Sequence, residues 1–164
     1  MGKGSLWNGE RSLGRIVFST PRGGGDQCIF CRIVSRTAPS NVVYEDEKHI
    51  AFLDAFPSSR GHTLVSPKQH GETIWDMGES EISELFMVAS RISKAVVEAT
   101  RADGFRFVQN NGEAADQAVA HVHVHVIPVK MENKGKYGGR LKFSPEEMAE
   151  IASSIRDKLG RDQA

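Results

Sequence analysis

Val119-Ala120-His121-Val122-His123-Val124-His125-Val126-Ile127-Pro128-Val129 alternates imidazoles with aliphatic side chains over its central half. In an extended strand successive side chains point to opposite faces. The stretch therefore predicts a strong strand over Val119 to Val129, with Val122, Val124 and Val126 turned into a core. His121, His123 and His125 then share the other face. Three of the chain's six histidines are committed to one strand at period two.

Working outward, the remaining elements come mostly as adjacent strand-like runs. Cys28 to Ser35 reads as a short helix with Ile29, Phe30, Ile33 and Val34 as its apolar members. Strands are expected at Val42 to Tyr44, His49 to Leu53, His62 to Ser66 and Phe105 to Gln109, with Pro57 to Gly61 as punctuation. Between the last two lies a helix over Glu79 to Thr100, whose apolar residues Ile82, Leu85, Phe86, Ala89, Ile92, Val96 and Ala99 step by three and four. A final helix is marked by Ser144 as N-cap, Pro145 at its first position, Glu147 closing a capping box, and Gly160 beyond its end. Strands in runs, with one long helix inserted, favour an antiparallel α+β sheet over a parallel doubly wound one.

Residues 1–27 differ from the rest: they are glycine-rich, and only Leu13 to Phe18 could add a strand. They read as a flexible extension ending at Gly23-Gly24-Gly25. A domain over 28–130 and a tail with a helix over 131–164 complete the expected organisation. The 164 residues, 39% of them hydrophobic, suit one core. Lys plus Arg equals Asp plus Glu at 21 each. The basic excess of a protein that lives by gripping nucleic-acid phosphates is absent, so polymeric nucleic acid is disfavoured. No apolar run would span a bilayer and no signal-peptide pattern opens the chain, which points to a cytoplasmic protein with no membrane partner.

The histidine strand admits three readings. It is a half-buried strand with an incidental polar face, or a metal site, or an imidazole nucleophile flanked by imidazoles that bind phosphate. As metal ligands, neighbouring histidines sit about 6.6 Å apart at the backbone and the outer pair about 13 Å, so one ion takes two of them but hardly three. As a nucleophile, a neutral imidazole attacks near pH 7, and its neighbours donate hydrogen bonds or charge.

The surroundings weigh the choice. Phe52-Leu53-Asp54-Ala55-Phe56-Pro57, then Gly61-His62-Thr63-Leu64-Val65-Ser66-Pro67-Lys68-Gln69-His70, then Asn110-Asn111-Gly112, Gln117 and His121 to Pro128 resemble the histidine triad (HIT) family, in order and with the expected spacings. That resemblance implies a five-stranded antiparallel sheet with a long helix and a C-terminal helix, usually paired as a homodimer. It implies hydrolysis or transfer of nucleotides at the α-phosphate through a nucleotidyl-histidine intermediate. Carried over by position, His123 matches the nucleophile, with the His121 carbonyl orienting its other ring nitrogen. His125 and His62 match positions that hydrogen-bond phosphate oxygens. Asp54 matches the ribose binder, and Asn110 a contact to ribose or phosphate. Gln117 falls in the same substrate-binding set. Phe30, Ile33, Phe52 and Leu53 match an apolar pocket for a purine base. Because the third triad position is His125 and not glutamine, a hydrolase of phosphoramidates or dinucleoside polyphosphates is favoured over a transferase.

Three residues depart from the pattern. Ala118 stands where many members have Ser or Thr, Asp116 where Gly is usual, and Val129 where Arg often follows the proline. Two further readings stay open beside the hydrolase: a metal-dependent hydrolase, and a nucleotide-binding regulatory module with little catalysis.

The only cysteines form the pair Cys28-x-x-Cys31. In a cytoplasmic chain that is half a metal site, a redox dithiol or two buried thiols. With His70 and His121 it resembles the structural Zn²⁺ site of a subset of the family, a closed tetrahedral set that stabilises and does not catalyse. His49 is left as a surface or supporting residue.

Overall fold

The computed structural model describes residues 27–136 and 139–161. The expectation of a flexible extension with a strand at Leu13 to Phe18 lies, but for Gln27, outside the described residues. Among those described, five strands form one antiparallel sheet in the order β1-β2-β3-β5-β4: β1 Val42–Glu45, β2 His49–Leu53, β3 Thr63–Pro67, β4 Gly104–Val108 and β5 Val124–Val129. Three α-helices accompany it: α1 Ile29–Val34, α2 Glu79–Thr100 and α3 Pro145–Arg161. The fold is the expected α+β arrangement.

Alternation along the strands sorts side chains into two layers. Ala51, Leu53, Val65, Val122, Val124 and Val126 meet Leu85, Ala89, Ile92 and Val96 of α2 and Ile151, Ala152 and Ile155 of α3. On the opposite face Ile50, Phe52 and Leu64 pack against Phe30, Ile33 and Ala38 from α1 and the turn after it. The larger core thus fixes the sheet from behind. Among the described residues only short α1 and the turn after it cover the front, leaving the front face of β5 open beyond His123.

The capping box at the start of α3 forms as the sequence predicts: Glu147 accepts from the Ser144 amide at 2.7 Å, and the Glu147 amide donates to Ser144 Oγ at 3.2 Å. Gly160 does not end that helix, which continues through it to Arg161. One glycine costs a helix only about 1 kcal/mol, and Ile155 and Leu159 are buried just before it.

The predicted strand over Val119 to Val129 is shorter than expected. Regular pairing begins only at Val124, which lies opposite Val65. Earlier in the stretch the ladder is replaced. Pro67 has no N–H to offer, and its carbonyl accepts instead from the His121 ring at 2.9 Å. The Val122 amide donates to Gly71 O at 2.8 Å, while the Val122 carbonyl accepts from Ser66 Oγ at 2.8 Å. The facing survives nonetheless: Val122 is in the α2-side core, and the rings of His121 and His123 lie against Phe30 in front.

Candidate functional site

Two of the three triad imidazoles, His123 and His121, are held by groups whose hydrogen-bonding role is fixed. His123 Nδ1 lies 2.6 Å from the carbonyl of His121. A carbonyl only accepts, so Nδ1 carries the proton and neutral His123 has its lone pair on Nε2. Phe30 packs edge-on against this ring at 5.0 Å, and the His125 ring lies 4.8 Å away on the other side. By the same argument the Pro67 carbonyl takes the Nε2 proton of His121 and leaves its Nδ1 bare. His62, at the head of β3, brings Nε2 to 2.9 Å from Nδ1 of His125. Asp54, just past β2, places a carboxylate oxygen 3.5 Å from His62 Nδ1, while its other oxygen accepts from the Phe56 amide at 2.8 Å.

Burial keeps these imidazoles neutral. It pulls His125 down to about 4, with the neighbouring His123 and His62 adding to the effect and Asp54 opposing it. His123 is lowered by burial against the opposing pull of the His121 carbonyl and Asp54. His62 is lowered by burial, partly offset by Asp54. A neutral His123 is what nucleophilic attack requires.

A second cluster adjoins the first on the α1 side of the sheet. Cys28 and Cys31 at the start of α1, His70 after β3, and His121 bring one donor atom each within 4.8 Å of one another. Cys31 Sγ lies 3.4 Å from His70 Nδ1 and 3.6 Å from His121 Nδ1, Cys28 Sγ lies 3.5 Å from His121 Nδ1, and the two Nδ1 atoms are 3.3 Å apart. Burial and the adjacent Cys28 push the Cys31 thiol up to about 11. These four residues could hold a metal ion. Asp54, His62 and His125 also fall within 4.8 Å of one another. There, however, Asp54 meets Nδ1 of His62 and His125 meets Nε2, so the close contacts fall on opposite ring nitrogens and form a chain rather than a cage.

The remaining sequence-predicted residues divide. Phe30, Ile33 and Phe52 come together in front of the sheet, with Phe30 and Phe52 edge-to-face at 5.2 Å. Leu53 does not join them. It follows Phe52 on the same strand and therefore points the other way, into the α2-side core, which corrects its assignment to the base pocket. Asn110 donates to Asp116 O at 3.3 Å. Gln117 is engaged at both ends, accepting from the Gly112 amide and donating to Glu72 O, each at 2.6 Å, so its amide braces the loop before the triad. His49 is not on the surface. It is buried on β2 beside Asp46, whose carboxylate lies 3.2 Å from its Nδ1.

Pro67 and Ser58 were not legible as site residues. Pro67 acts through its carbonyl, and Ser58 brings its amide and its Oγ to His62 Nδ1 at 3.2 and 3.3 Å. Backbone groups leave no signature in residue type, and a serine between Pro57 and Gly61 reads only as turn.

An antiparallel sheet presenting three histidines beside a His/Asp pair defines a histidine triad protein. The family profile described as HIT domain matches residues 35–132, and this chain belongs to the HIT family. It is 34% identical over 134 residues to adenosine 5′-monophosphoramidase hnt1 of Schizosaccharomyces pombe, covering 80% of this chain and 98% of that one. It is 36% identical over 123 residues to adenylylsulfatase HINT3 of Arabidopsis thaliana, covering 75% of this chain and 61% of that one. Its fold is similar to the crystal structure of a zinc-bound histidine triad family protein from Mycobacterium smegmatis, with TM-score 0.75 and 36% identity over 83% of this chain and 95% of that one.

Proposed function

We propose that this chain is a hydrolase of substituted purine nucleoside 5′-phosphates, acting at the α-phosphate with His123 as nucleophile. The observation that carries the reading is the 2.6 Å hydrogen bond from His123 Nδ1 to the His121 carbonyl. It leaves a neutral imidazole with its Nε2 lone pair free for attack. In the first step Nε2 bonds to the α-phosphorus and the bond to the leaving group breaks, giving a nucleotidyl-imidazole. In the second, water cleaves the P–N bond and returns the imidazole. His125 and His62 stabilise the charge that builds on the phosphate oxygens. Asp54 and Asn110 bind the ribose side, with Gln117 bracing the loop that carries Asn110, and Phe30, Ile33 and Phe52 offer the base an apolar surface. The names of the fission yeast and Arabidopsis relatives support a hydrolase acting on adenylyl compounds.

Cys28, Cys31, His70 and His121 fit a structural Zn²⁺ ion. Tetrahedral bonds of about 2.3 Å to sulfur and 2.0–2.1 Å to nitrogen put N···N at about 3.3 Å and S···N at about 3.5 Å. Those spacings match the observed 3.3 Å and 3.4–3.6 Å. The bare Nδ1 of His121 suits a ligand, and its Nε2–H bond to Pro67 is the outer contact that orients one. With all four positions taken by protein, the ion would hold α1 to the triad strand and supply no chemistry to the phosphate. A cytoplasmic setting agrees with reduced thiols.

Steady-state turnover of an adenosine phosphoramidate and a dinucleoside polyphosphate tests the reading. Wild type should hydrolyse at least one, and His123→Ala should lose roughly 10³-fold or more in kcat while still binding nucleotide. Near-normal turnover in that variant would refute it.

A further inference from the structure

We propose that Ser58 is a positioning residue of this site: its amide and hydroxyl on His62 Nδ1 set the protons of His62 and, through it, of His125. The inference rests on the hydrolase reading for its catalytic meaning but not for its geometry.

An amide N–H can only donate. The Ser58 amide is directed at His62 Nδ1 from 3.2 Å, so that nitrogen holds a lone pair and the proton of neutral His62 sits on Nε2. The Ser58 hydroxyl, 3.3 Å from the same atom, then has only donation open to it. His62 Nε2–H in turn faces His125 Nδ1 at 2.9 Å, which must accept. The proton of His125 is thereby placed on its Nε2, the nitrogen left to meet a phosphate oxygen. The two Ser58 donors together, set against Asp54, thus determine whether the third triad histidine presents a donor.

The arrangement is contested. The Asp54 carboxylate, 3.5 Å from the same Nδ1, favours a proton there. If it prevailed, His62 Nε2 would become an acceptor, His125 would protonate Nδ1 to meet it, and His125 Nε2 would turn a lone pair on the phosphate. His123 and His125 would then both present lone pairs, and the donor would be lost. Two donors from Ser58 at shorter range oppose one carboxylate, and burial disfavours the doubly protonated ring. The groups facing His62 are Asp54 from the end of β2 and His123 and His125 from the triad stretch. The turn is rigid enough to aim the amide. Gly61 has φ +85°, and a Cβ there would fall 2.5 Å from Thr100 Cγ2. The His62 amide closes the turn onto Ser59 O at 3.1 Å, and Pro57 O accepts from the Leu141 amide at 2.7 Å.

The test is ¹⁵N NMR of the histidine rings in the full-length chain near pH 7.5, with kinetics alongside. In wild type, both His62 and His125 should show an unprotonated Nδ1 and a protonated Nε2. In Ser58→Ala both should move together toward the opposite tautomer, with kcat down about tenfold and KM within about twofold. Ser58→Thr, which keeps the hydroxyl, should restore both. A wild-type His62 protonated at Nδ1 would overturn the proposal, as would a Ser58→Ala variant whose ring shifts and kcat match wild type. Rings that behave as stated in a chain that hydrolyses no nucleotide would support the relay and refute the proposed function.

Discussion

At the scale of single residues, this site is governed by where protons sit. His125 is lowered to about 4 by burial and by its histidine neighbours, against about 6.5 for a free imidazole. Between those values the unfolded chain binds a proton at this position that the folded chain does not. Its contribution to stability is therefore present above about pH 6.5 and is lost as pH falls toward 4. Thermal melts across that window should show a shallower acid slope in His125→Gln than in wild type; equal slopes would contradict the assignment. Asp116 is a second informative residue. It occupies a left-handed backbone with φ +62°, which explains why glycine is usual at this point of the resembling pattern. Aspartate tolerates that conformation better than most residues. Asp116→Gly should be neutral or stabilising by under about 1 kcal/mol, whereas Asp116→Val should cost about 1–2 kcal/mol by denaturant melts.

At the scale of elements, the segment from Val119 to His123 shows both what the sequence revealed and what it withheld. Alternation foretold which side each residue faces, because period two survives any locally extended backbone. It could not foretell that regular pairing waits until Val124, since that depends on Pro67 sitting across the sheet, some 50 residues away in sequence. Leu53 was misplaced for a related reason. A run of apolar residues on β2 shows that both faces are covered, and only strict alternation separates Phe52 in front from Leu53 behind. Ser58 and the Pro67 carbonyl were invisible because the groups that act are backbone or turn groups. The cysteine pair, by contrast, was readable, since its spacing on α1 brings both thiols toward one point. If zinc bridges α1 to the triad stretch, protein purified without added metal should contain about one equivalent. Cys31→Ala should abolish that content and lower the melting temperature by several degrees. Metal-free wild type with two freely titrating thiols would contradict the site.

At the scale of the whole molecule, one patch of exposed apolar surface lies where the sheet ends. Among the described residues β4 is an edge strand, and Phe105 and Phe107 on it are 45% and 36% exposed. The two phenylalanine rings lie 5.0 Å apart, and Phe107 contacts Phe86 of α2 at 6.2 Å. An unpaired strand edge next to an apolar patch is the kind of surface a second copy of the chain would cover. We expect a homodimer across β4 and α2. Sedimentation at micromolar concentration should give about twice the 18.0 kDa chain mass, and Phe105→Glu combined with Phe107→Glu should return the monomer. A wild-type monomer would contradict the interface. Among the described residues no helix is long and apolar enough to cross a membrane.

Covalent chemistry at His123 Nε2 underlies the proposed hydrolysis, and rapid-quench mass spectrometry reads it directly. Mixing the full-length chain with an excess of adenosine phosphoramidate and quenching within the first turnover should reveal a chain heavier by one adenylyl group. Peptide mapping should place the group on His123, and the adduct should be absent from His123→Ala. Turnover that proceeds with no adduct on any histidine, or an adduct that persists when His123 is replaced, would rule out His123 as the nucleophile.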